Sequence, residues 1–148
     1  MKDRIFVRDV AERFGCDERR AETLIFAVFQ ELRDRLTPEE AADAAAQLPA
    51  SLKMLWSSFD YPGRVVRRVH EYQFLDEVRR MVGFEEESQA EDAVVCVFGV
   101  LQKALGSLAG REGEARHVFS QLPSDLKRLW LTAAAENADY GEARPSKA

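Results

Sequence analysis

At 148 residues, 46% hydrophobic and 32% charged, the chain is long enough to bury a real core and too apolar for a disordered polymer. Its net charge of −5 is spread evenly, with 9 basic and 12 acidic residues in 1–62 and the balance in 63–148. Such a charge disfavours non-specific contact with polyanions such as nucleic acid or an anionic membrane.

The first predicted helix carries Phe6, Val10 and Phe14 on one face and stops at Gly15, the residue type a left-handed helix end favours. Asp17 is the expected N-cap of the second helix. That helix aligns Ile25, Val28, Phe29, Leu32 and Leu36 in one stripe. Thr37-Pro38-Glu39-Glu40 reads as cap, first helical residue and capping box of a third helix, with Ala41, Ala44, Ala45 and Leu48 inward. Pro49 then opens a fourth, whose face is Leu52, Leu55, Trp56 and Phe59.

After a breaker at Asp60-Tyr61-Pro62-Gly63, the same plan is legible again. Phe74, Val78 and Val82 precede Gly83, and Val94, Val97, Phe98, Leu101 and Leu105 repeat the stripe of the second helix. Ala115, Val118, Phe119 and Leu122 supply a third face, and Leu126, Leu129, Trp130 and Ala133 a fourth. The valine-rich run Ala93–Leu101 has strand propensity. Its counterpart Leu24–Leu32 reads as helix, so both are expected to be helical. Gly99 inside such a helix costs up to about 1 kcal/mol relative to alanine, a cost that close approach of another helix would offset.

The clearest match is Gln47-Leu-Pro-Ala-Ser-Leu-Lys-Met-Leu-Trp56 with Gln121-Leu-Pro-Ser-Asp-Leu-Lys-Arg-Leu-Trp130, identical at seven of ten positions. The expected fold is therefore all-α: two tandem copies of a four-helix repeat forming one compact helical bundle. Residues 1–60 form the first repeat and 64–135 the second. Residues 136–148, which lack apolar periodicity, form a flexible C-terminal tail.

The Phe-x-x-x-Val turn ahead of a glycine, the Ala-Glu-initiated apolar helix and above all Gln-Leu-Pro-x-x-Leu-Lys-x-Leu-Trp resemble the prokaryotic DUF2267 family, over roughly Phe6 to Ala134. The resemblance implies an all-helical, cytoplasmic bacterial protein. It carries over no catalytic residues.

Few residues invite chemistry. His70 and His117 lie at non-equivalent positions, and no HxxxH, HExxH or CxxC motif is present, so no metal and no cofactor are expected. Cys96, among valines, reads as a small buried hydrophobe. Cys16, beside a helix start, is a candidate reactive thiol for redox sensing, because a helix N-terminus lowers a thiol pKa. No resolving partner is evident for it. Glu85-Glu86-Glu87 reads as negative charge at a helix start, and both tryptophans read as packing.

Arg64, Arg67 and Arg68 share one helical face and could hold an acidic partner or nucleic acid. Arg79 and Arg80 follow, with Asp76 and Glu77 in reach. Two cysteines cannot form a disulfide scaffold, and the Met1-Lys2-Asp3-Arg4 start has no apolar signal region. The nine-residue run from Ala93 is far short of the roughly 20 residues a bilayer span needs. The functional expectation is a cytoplasmic, non-enzymatic interaction or scaffold module that self-associates or binds a protein partner.

Overall fold

The computed structural model describes residues 3–46, 48, 50–57, 71–107 and 126–143, and every regular element among them is helical. In chain order these are α1 (Asp3–Phe14), α2 (Glu18–Arg33), α3 (Pro38–Ala46) and α4 (Ala50–Ser57). They are followed by α5 (Glu71–Val82), α6 (Glu87–Ser107) and α7 (Lys127–Ala143). Arg64, Arg67, Arg68, His70, His117 and the segment holding Ala115–Leu122 lie outside the described residues.

Local chemistry sets the helix ends. The Asp17 carboxylate accepts the Arg20 amide at 2.8 Å, satisfying one of the unpaired donors at the start of α2. At the start of α6 the Gln89 side-chain oxygen accepts the amides of Glu85 (3.1 Å) and Glu86 (2.9 Å). The three glutamates there are exposed.

Gly15 and Gly83 end α1 and α5 with φ of +84° and +90°. The amides of Gly15 and Cys16 both bond to Ala11 O, and those of Gly83 and Phe84 both bond to Arg79 O. These are matching left-handed helix ends. A β-carbon would meet nothing within 4 Å at either glycine, so the penalty for a side chain is conformational. Gly83→Ala is expected to destabilise by about 1–2 kcal/mol, read as a lower urea midpoint with an unchanged slope.

The helices cross reciprocally. α1 packs on α2 and α5 on α6, while α1 also packs on α6 and α2 on α5, with α2 against α6 between them. α4 lies on α2 and α3, and α7 lies along α6. Phe29 of α2 meets the edge of Trp56 of α4, with ring centroids 5.4 Å apart, and Phe98 of α6 meets Trp130 of α7 at 5.2 Å. Both indoles are buried.

This crossing explains the valine-rich segment. From Ala93 to Leu101, every residue of α6 is buried, because α1, α2, α5 and α7 surround it. Burial on all sides selects apolar residues around the whole helix and outweighs the small helical preference valine lacks.

One boundary needs correction. Residues 136–143, expected as part of a flexible tail, continue α7 to Ala143. Alanines sustain the helix where apolar periodicity stops, and Asn137 anchors it to α6.

Candidate functional site

The polar side chains that matter most in this core were not singled out by motif reasoning. Glu31, Arg33 and Arg35, at the end of α2 and in the turn beyond it, are 1–3% exposed. Arg35 Nη1 donates to Glu31 O (2.7 Å) and to Glu31 Oε1 (3.1 Å), a charge-assisted pair within the core. Its guanidinium stacks 4.7 Å over the Phe74 ring of α5. Arg33 Nη1 donates to Trp56 O at 2.8 Å, binding α2 to the last turn of α4.

In α6 the corresponding bond is made by a neutral residue, Gln102, whose Nε2 donates to Trp130 O at 2.9 Å. Each tryptophan-bearing helix is thus held twice, by its indole in the core and by a side-chain donor on its tryptophan carbonyl. One sequence signal for the charged cluster exists. Glu31 continues the spacing Leu24, Val28, so a carboxylate stands on an apolar stripe four residues before an arginine.

A second polar cluster joins α1, α6 and α7. Asn137 Nδ2 donates to Gly99 O (3.1 Å) and Gln102 Oε1 (3.0 Å), and its Oδ1 accepts from Arg13 Nη2. Gly99 permits this, since a β-carbon there would lie 3.1 Å from the Arg13 guanidinium. The close approach at Gly99 is therefore made by a guanidinium, where another helix was expected. Asn137→Ala should speed amide exchange selectively in residues 134–143 and destabilise by about 1–2 kcal/mol.

The sequence-derived sites fall as follows. Arg79 and Arg80 both pair with Asp76 at 2.9 Å, on the surface of α5. Cys16 is half-buried just ahead of the Asp17 cap. Its pKa is raised, first by burial and then by the Asp17 carboxylate, with Arg20 pulling the other way. Desolvation and the adjacent carboxylate both act against the thiolate.

Cys96 is buried, and that burial pushes its thiol from the ordinary 9.0 up to about 11. Arg13 partly offsets the shift, and Cys16 and Glu136 add to it. An unfolded chain therefore ionises at residue 96 before the folded one does. This contribution to stability is intact below about pH 9 and fades as pH rises toward 11. Alkylation of Cys96 by iodoacetamide is accordingly expected to be slow at pH 8 and to accelerate steadily toward pH 11.

Among the described residues no group of three or more His, Cys, Asp or Glu side chains converges as a metal cage. No helix among them is long and apolar enough to cross a membrane. The polar geometry, guanidinium and amide donors on helix carbonyls, is suited to fixing helix against helix.

These elements define an all-helical protein with a densely cross-packed core. The chain belongs to the family described as uncharacterized conserved protein DUF2267, whose sequence model matches residues 3–129 and again residues 71–147. No curated protein matches it.

Proposed function

We propose that this protein is a non-enzymatic helical interaction module of the cytoplasm, built from a duplicated four-helix unit and binding a protein partner or a second copy of itself. The duplication is supported by the family match that begins at residue 3, where α1 starts, and again at residue 71, where α5 starts. Paired left-handed glycines, paired phenylalanine–tryptophan contacts and the reciprocal crossing of α1 on α6 and α2 on α5 also support it. Two free thiols suit a reducing compartment.

The observation that carries the interaction reading is on α4 and α7, the two tryptophan-bearing helices. Each buries its indole yet turns a large apolar side chain to solvent, Met54 at 77% and Leu131 at 57% exposure. The polar clusters, by contrast, are spent on helix-to-helix bonds inside the molecule.

Light scattering and sedimentation of the purified chain, alone and with its native co-purifying proteins, test the reading. Self-association or stoichiometric retention of a partner should be lost in a Met54→Lys/Leu131→Lys variant that keeps the wild-type helical content. A strict monomer that retains nothing, or a complex indifferent to both substitutions, overturns it.

A further inference from the structure

We propose that Cys16 and Cys96 are a reversible dithiol, joined by a peroxide-class oxidant into an intramolecular disulfide that ties the end of α1 to the middle of α6. The two residues are 80 apart in sequence, which hides the pairing, yet each contacts a backbone carbonyl in the C-terminal half of α1. Cys96 Sγ lies 3.9 Å from Val10 O. The Cys16 amide lies 3.0 Å from Ala11 O, the next carbonyl of the same helical turn. Both cysteines are free, α1 packs on α6, and Cys96 faces α1 at Val10. Their electrostatic coupling agrees with this placement, because negative charge on Cys16 opposes ionisation of Cys96.

The other crossing of the core sharpens the point. By the spacing that relates Gly15 to Gly83 and Phe29 to Phe98, Cys16 corresponds to Phe84 and Cys96 to Ala27. Those positions hold an aromatic ring and a methyl group, both buried, with the ring set against Phe14 and the Arg20 guanidinium. Packing alone is thus satisfied by carbon at these two positions. Thiols occupy both positions at one crossing and neither at the other.

The chemistry balances. The Cys16 sulfur, the more accessible of the two, attacks one oxygen of hydrogen peroxide as its thiolate. The O–O bond breaks, and the departing hydroxide takes up a proton to leave as water, giving a sulfenic acid on Cys16. The Cys96 sulfur then attacks the Cys16 sulfur. The S–S bond forms, the S–O bond breaks, and the oxygen leaves as a second water carrying the Cys96 proton. In sum, two thiols and one peroxide give one disulfide and two waters. Burial keeps both groups largely as thiols near neutral pH, so the reaction is slow and suits sustained oxidation. The product would link a residue of the first half to one of the second and restrain the unfolded chain across both.

The test uses the full-length protein, reduced and then exposed to hydrogen peroxide, with intact-mass and non-reducing peptide analysis. The expected product is a monomer lighter by about 2 Da, with the peptides bearing Cys16 and Cys96 joined, restored by dithiothreitol and melting at a higher temperature when oxidised. Cys16→Ser should abolish it. Cys96→Ala, which installs the residue found at position 27, should leave a Cys16 sulfenic acid that dimedone traps. A wild-type monomer of unchanged mass, a Cys16–Cys16 dimer, or Cys16 over-oxidised to sulfinic acid while Cys96 stays free would each overturn the proposal. The wild-type measurement alone decides it if a variant fails to fold.

Discussion

Trp56→Ala is expected to lower stability by about 3–5 kcal/mol, among the largest effects any single truncation should have on this chain. Two contacts vanish together and a void is left. The indole edge leaves the Phe29 ring, which it meets at 5.4 Å and 70°, the Nε1–H donor leaves Ala41 O at 2.9 Å, and a cavity opens beneath α4.

Trp130→Ala removes the corresponding contact with Phe98 and should fall in the same range. For a chain of this length each kcal/mol moves the melting temperature by roughly 2–4 °C, so either variant is readily resolved by calorimetry. A Trp56→Phe variant, which retains an aromatic but loses the donor, should recover most of the loss. A cost under about 1 kcal/mol for Trp56→Ala would mean that the indole is not the anchor described.

Glu31→Ala is the second large effect, again about 3–5 kcal/mol, because it leaves the Arg35 charge in the core without the carboxylate 3.1 Å away. The diagnostic result is non-additivity. Replacing both partners by apolar residues of similar size, as in Glu31→Leu/Arg35→Met, should cost less than Glu31→Ala alone, because neither charge of the pair then remains to be desolvated. Urea unfolding of the singles and the double measures this directly. If the double variant costs the sum of the singles, the pair acts as two independent packing groups and the electrostatic account fails.

The same comparison can be drawn across the core. Arg33 and Gln102 make matching bonds to Trp56 O and Trp130 O, yet one donor is charged and the other neutral. Among the described residues, a buried guanidinium makes the first of these bonds and a neutral amide the second. The difference lies within positions that sequence spacing makes equivalent.

Much of the architecture was legible beforehand. The stripes of Phe6, Val10 and Phe14 and of Ile25, Val28, Phe29 and Leu32 predicted α1 and α2, and α5 and α6 followed by the same spacing. Asp17, Pro38, Gly15 and Gly83 marked helix ends by chemistry that acts within a few residues. The seven identities around each tryptophan announced two equivalent anchors, and both indoles are in the core.

Where the reading stopped, distance in sequence was the cause. Arg13 and Asn137 are 124 residues apart, and nothing in the local pattern of either betrays the bond that carries α7 past Ala135. Cys16 looked like a thiol at a helix start, whereas the neighbours that set its ionisation depend on how deeply that corner is buried.

The order of residues alone determined that this protein is helical, where most helices begin and end, and which faces turn inward, because periodicity, capping and left-handed turns are properties of neighbouring residues. Only the tertiary structure decided that α1 crosses α6 while α2 crosses α5, that Glu31 and Arg35 are enclosed together, and that Cys96 of α6 lies against Val10 of α1. Those outcomes depend on which apolar faces find each other across the whole chain. Burial and the pairing of charges exist only once they have done so.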